Sequence, residues 1–279
     1  MSEEFTPPSV VYGVVYGGDE RESRSKTWVA RGVVTDGRLS IDRCAPVGEW
    51  FDVPSSPATK PALTTFLAEL PATAAAGLDF PFGLPARIVT EETWEAFLYD
   101  FPSWAGSPDD LRRQCERRVR LIDGSTEARV RATDEPLSSM SPFDDPIVPS
   151  TFYGLRDVLR PLVLSDTVRV PPMTEPHPDR PFAIEVYPTG TLVDLDLFAA
   201  GYEAPDDEGR DRRVEALDGL CEAADTGVDV ADEVRESVRA GPERLESVVA
   251  AYAVYRNSRA ASALTVTDDQ RLIEGQVFV

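Results

Sequence analysis

The sequence predicts an α/β protein, with a mixed sheet flanked by helices. Three observations lead to that class. Near the amino end, three short runs rich in β-branched and aromatic residues follow one another through tight connections. Further along, apolar residues at helical spacing dominate, broken by a single strand-like run. Between these two regions lies GLDFPFGLP, residues 77–85, where a hydrophobic run ends in Asp79 and the chain breaks at Pro81, Gly83 and Pro85.

The elements follow in order. Residues 10–16 form the first β-branched run, 26–35 the second and 38–44 the third, and the short turns imply antiparallel neighbours. Residues 59–70 carry Leu63, Phe66, Leu67 and Leu70 at helical spacing, and 73–80 read as the fourth strand. From about 86 to 181 the pattern becomes helical, near 91–99, 109–121 and 151–162, between Pro- and Ser-rich loops. Residues 182–187 return to strand. Helices are expected near 208–224, 230–240 and 242–260, then two short strands at 263–267 and 271–279 around an Asp268-Asp269 turn. No repeat or low-complexity linker divides the chain, so residues 1–279 read as one domain with a helical insertion at about 86–181.

Composition narrows the chemistry. With 42% hydrophobic residues, the 279-residue chain can bury a sizeable core. No apolar run approaches the roughly 20 residues of a membrane span, and the acidic start Met1-Ser2-Glu3-Glu4 is unlike a secretory signal, so a cytoplasmic protein with no membrane partner is expected. The net charge is −21, and Lys26 and Lys60 are the only lysines. That imbalance suits a protein kept soluble at very high salt, where self-repulsion is screened. An acidic surface of that origin argues neither for nor against nucleic acid. Cys44, Cys115 and Cys221 are too few and too scattered for a disulfide framework or a four-ligand zinc site. His177 is the only histidine and sits in a proline-rich stretch, which disfavours Ser-His and Cys-His mechanisms. There is no GxGxxG and no phosphate loop. The remaining chemistry belongs to carboxylates, Arg, hydroxyls and a hard metal.

Two carboxylates stand out on strands. Asp79 at a strand tip either caps the following turn or helix, with Pro81 suited to a first helical position, or serves a site at the sheet's carboxyl edge. Glu185 alternates with Ile184 and Val186, just before Pro188-Thr189-Gly190-Thr191. It is either a solvent-facing strand residue or an acid kept in an apolar strand for a reason, since burying an unpaired charge is costly. Residues 112–131 form the one clearly basic stretch. Arg113, Arg117 and Arg120 share a helical face, and with Arg131 they could hold phosphates or pair with neighbouring acids. Trp94, Trp104 and Tyr153 could stack on bases, with core packing as the alternative.

The order β-β-β-α-β, a helical insertion, then a strand and a long helix is that of the ribonuclease H-like fold, with a mixed five-stranded sheet. The motifs GLDFPFGLP (77–85), STFYGLRDVLRPL (150–162), IEVYPTGTL (184–192) and EGQVFV (274–279) together resemble the family described as domain of unknown function 429, over nearly the whole chain. That resemblance implies a predicted nuclease in which strand and helix carboxylates hold Mg²⁺ or Mn²⁺ ions about 3.5–4 Å apart for phosphodiester hydrolysis. Carried onto this sequence, the catalytic set is Asp79, Glu185 and Glu246. The metal ligands are Asp79, Glu246 and Glu243, with Asp19 as a substitute. The family's first strand carries an Asp where this chain has Val15, and its last-helix acids match Glu243 and Glu246. Valine cannot bind a metal. The alternative is a catalytically silent relative that binds nucleic acid or a protein partner.

Overall fold

The computed structural model describes residues 5–18, 23–122, 129–198, 200–223 and 228–279. Strands β1 (Val10–Val15), β2 (Trp28–Thr35) and β3 (Arg38–Pro46) pair antiparallel in succession. On the other side of β1, β4 (Ala74–Asp79), β5 (Phe182–Val186) and β7 (Val277–Phe278) add in parallel, while β6 (Val228–Val230) runs parallel to β3. The spatial order is β6-β3-β2-β1-β4-β5-β7, with only β2 reversed.

Helices cover both faces. One face carries the first part of the chain: the single turns α1 (Ser23–Lys26) and α2 (Val47–Trp50), then α3 (Thr59–Ala68), α4 (Trp94–Trp104), α5 (Pro108–Ile122), α6 (Val148–Tyr153) and α7 (Arg160–Leu164). The other carries α8 (Pro188–Asp194), α9 (Asp207–Glu222), α10 (Asp232–Val238) and α11 (Pro242–Asn257). A last short helix, α12 (Asp269–Glu274), leads into β7.

Strand alternation sorts side chains between the two cores. Val14, Tyr16, Ala76, Leu78 and Phe80 face the first layer, and Val11, Ala75, Ile184 and Val186 face the second. Gly13 and Gly77 are register partners, and both meet α11. A Cβ at Gly13 would overlap the Ser247 carbonyl oxygen and the Ala251 nitrogen, so the absence of a side chain lets the helix backbone rest on the sheet. This close approach brings the first turn of α11 toward the carboxyl ends of β1 and β4.

The α/β class is as the sequence predicts, but the sheet has seven strands where five were expected. The edge strands β6 and β7 have three and two residues; β6 was not expected as a strand, while β7 lies at the end of the expected strand 271–279, most of which is not strand. The expected terminal strands at 263–267 and 271–279 also differ. Ala261–Leu264 forms a 3-10 turn, and the Asp268 side chain accepts a hydrogen bond from the Gln270 amide at 2.9 Å, capping α12 where a turn was expected. The helix expected at 151–162 is split: a π-helical turn, Gly154–Leu159, separates α6 from α7.

Candidate functional site

A cleft of about 520 Å³ opens at the carboxyl ends of β1, β4 and β5. Open α/β sheets commonly bind ligands outside the carboxyl ends of their strands. Tyr16, Asp79, Phe80, Arg131, Glu185 and Tyr187 are among its lining residues. The site is built by the breaks after β4. No helix begins at Pro81 or Pro85, and α4 starts only at Trp94. Instead, the run is pinned from three sides. The Phe82 amide donates to Glu185 Oε2 at 2.8 Å, Trp94 Nε1 donates to the Phe82 carbonyl at 2.7 Å, and the Ala86 amide donates to Glu274 Oε1 at 2.7 Å.

Asp79 caps nothing. Among the described residues its carboxylate makes no hydrogen bond and no ion pair, and it is only partly covered. Burial holds its carboxyl well above the usual range, and the nearby Glu246 and Glu185 carboxylates push it further in the same direction. Its register partner across β1 is Val15, so the position expected to supply a second strand carboxylate presents a buried isopropyl group.

Glu185 does not join Asp79. Its register partner is Leu78, which faces the first helical layer, whereas Asp79, one residue later, faces the α11 side. On its own face Glu185 meets Arg131. Arg131 Nη2 lies 2.5 Å from Glu185 Oε1, and Nη1 lies 2.9 Å from Oε2. Asp134 takes Nε at 2.7 Å and the remaining Nη2 donor at 2.8 Å, and the Glu274 carbonyl takes the last Nη1 donor at 3.1 Å. All five guanidinium donors are therefore satisfied. Burial raises Glu185 above the ordinary carboxylate range, opposed by Arg131 and by the Phe82 amide. Arg131 itself, 2% exposed, is held firmly charged by its two carboxylates. The expected phosphate-binding role does not fit it. Its donors are used internally, and they tie the insertion to β5.

Glu246 lies on the Asp79 side, in the first part of α11. Tyr202 donates to its Oε1 at 2.9 Å, and Tyr202 in turn lies 2.9 Å from Thr189 Oγ1. Because the Tyr202 proton is committed to Glu246, the Thr189 hydroxyl donates to Tyr202. Burial pushes the Glu246 carboxyl up to about 7; Tyr202 opposes the shift, and Glu243 and Glu203 add to it. Arg213 fixes the Tyr202 loop, donating to the Tyr202 and Ala204 carbonyls and to those of Val238 and Arg239 near the end of α10.

The other expected residues lie elsewhere. Glu243 pairs with Lys26 Nζ at 3.0 Å, and that ion pair argues against ligand duty beside Asp79; neither it nor Glu246 is among the residues lining the cleft. Asp19 lies outside the described residues. Arg113, Arg117 and Arg120 are exposed on α5 and do not line the cleft; Arg113 and Arg120 have acidic neighbours, Asp110 at 3.4 Å and Glu116 at 3.9 Å. Trp94 and Trp104 are buried in the core. Sequence reasoning missed Asp134, Tyr202 and Thr189. Asp134 had a usable signal, three residues from Arg131, but nothing local marks Tyr202 as the partner of Glu246.

Among the described residues no three Asp, Glu, His or Cys side chains converge as a metal cage. Asp79 and Glu246 remain as a two-carboxylate set. Asp79, without a hydrogen bond among the described residues, and Glu246, on the same side of the sheet and close enough to raise its pKa, are oxygen donors of the kind a hard cation takes. The chain matches no family model, no curated protein and no solved structure.

Proposed function

We propose that this chain is a ribonuclease H-like protein that acts on phosphodiesters, with one Mg²⁺ or Mn²⁺ held by Asp79 and Glu246. The order β3-β2-β1-β4-β5 with β2 alone reversed supports the fold part of this reading. The observation that carries the chemistry is Asp79, a carboxylate at the mouth of the cleft without a hydrogen bond among the described residues and with Glu246 and Glu185 raising its proton affinity. Mg²⁺ commonly keeps several waters and takes one or two protein carboxylates with the substrate's phosphates, so two ligands suffice. Such a cation neutralises charge on a phosphate and makes its bound water more acidic. In the metal-free protein Glu246, with a carboxyl near 7, holds or releases a proton at neutral pH while Tyr202 orients it; a cation held there would keep it ionised. Arg131 and Glu185 do not enter the chemistry. They keep the run from Phe80 to Phe82 in place so that Asp79 is presented at the strand tip.

Calorimetric titration with Mn²⁺ and Mg²⁺, on the wild type and Asp79→Ala, tests this reading together with a nuclease assay on single- and double-stranded DNA and RNA. Saturable binding lost in the variant, with cation-dependent cleavage lost in parallel, is expected. Val15 beside Asp79 favours a second reading, a silent relative that keeps the fold and binds nucleic acid or a protein partner. No cation binding by the wild type would select it.

A further inference from the structure

A second cavity, of about 630 Å³, lies on the helical insertion between α3 and the π-helical turn that precedes α7. Ser56, Lys60, Thr64, Arg156, Asp157 and Arg160 line it. Three cations against one carboxylate is an unusual balance in a chain of net charge −21. Lys60 is one of only two lysines and is 6% exposed. Its ammonium sits 3.1 Å from the Tyr153 ring centroid and 3.6 Å from Asp157 Oδ2, beyond hydrogen-bonding distance.

The wall opposite Lys60 is shaped by the π-helical turn. Such turns are rare and recur at functional sites. Here the turn directs Arg156 and Arg160 to the same groove. Asp157 binds Arg156 Nε at 2.6 Å and Nη2 at 2.9 Å, fixing the guanidinium plane. Among the described residues Arg160 is tethered only to a neutral group, the Tyr99 carbonyl, at 3.3 Å from both Nε and Nη2. At Gly154, where the turn starts, the Phe80 ring occupies the space a Cβ would need, so the turn packs against the run that presents Asp79.

We propose that this groove is a phosphate-binding subsite, in which Lys60, Arg156 and Arg160 hold the oxygens of a phosphomonoester or of a nucleic-acid backbone phosphate. Positioned guanidinium groups and a lysine are the side chains that bind such oxyanions best. The subsite goes beyond the cation centre and does not depend on it.

The test is calorimetry on the full chain, with chelator and fixed sodium chloride, using inorganic phosphate, a nucleoside monophosphate and a single-stranded oligonucleotide as separate probes. The variants are Arg160→Gln and Thr65→Glu, the second adding a negative charge at an exposed position in the groove lining. Saturable binding by the wild type, at least tenfold weaker in both variants with unchanged unfolding midpoints, is expected. Equal tightness for phosphate and mononucleotide identifies a free phosphate group. Tighter, steeply salt-dependent oligonucleotide binding identifies the nucleic-acid backbone. Undiminished affinity in both variants, or no saturable binding of any probe, overturns the proposal. An Asp79→Asn variant measured alongside should retain phosphate binding, so a failure of the cation reading remains distinguishable.

Discussion

Val15 and Asp79 are register partners at the carboxyl ends of adjacent parallel strands, on the same face of the sheet. Neighbours so placed have side chains side by side. A carboxylate at position 15 would therefore share a cation with Asp79. Val15→Asp is expected to raise Mn²⁺ affinity by about tenfold or more, and to lower the metal-free unfolding midpoint because it adds a third acid to a site already repelling itself. Calorimetry and thermal melts with chelator read both effects. Unchanged Mn²⁺ affinity in a folded variant would mean that the two positions do not define a common site.

The buried ion-pair cluster should behave as a structural lock. Removing Arg131 leaves Glu185 and Asp134 without their partner in a closed environment, and breaking such a buried pair typically costs about 3–5 kcal/mol. Arg131→Met is therefore expected to destabilise by about that amount in urea unfolding. Restoring charge balance with Arg131→Met combined with Glu185→Gln should recover part of the loss. Additive effects in the double variant would show that the two residues are not coupled.

Much of this site was legible, and what was missed has a common physical cause. Asp79 stands out because an acid ends an apolar run just before Pro and Gly breaks. The face on which Glu185 lies depends on the register of β5 against β4, which no local pattern sets. Its partner Arg131 is 54 residues away and sits in a basic run that suggested phosphate binding. Asp268 beside Asp269 reads as a turn until the helix it caps is seen. Local chemistry was readable. Long-range pairing and the three-residue edge strand β6 were not.

The contact between α11 and the sheet gives a sharp test of packing. Gly13→Ala forces a methyl into the backbone of α11, which has no flexible side chain to yield. Overpacking of that kind costs roughly 1–3 kcal/mol, and a backbone neighbour puts this site at the upper end. Gly37 is the control, since its φ is +75° and nothing lies within 4 Å of a Cβ there. Gly37→Ala should lose only the left-handed backbone penalty, about 1–2 kcal/mol. Gly13→Ala should also weaken Mn²⁺ binding by displacing Glu246, which the control leaves unchanged. Equal effects of both changes on Mn²⁺ affinity would refute the positioning role of Gly13.

Glu246 contributes to the pH response of the metal-free protein. Its carboxyl is raised to about 7 in the folded state, against the lower value of an exposed glutamate. The folded state therefore binds the proton more tightly than the unfolded chain. Its contribution to stability is fully present below the unfolded pKa, about 4.3, and is lost as pH rises through about 7. Melting with chelator should show the midpoint falling between about pH 5 and pH 8. Glu246→Gln, which keeps an acceptor for Tyr202 without the titration, should flatten that fall while raising the midpoint at pH 8. An undiminished slope in the variant would assign the pH response to other acids, since burial and like charge also raise Asp79 and it faces the same side of the sheet.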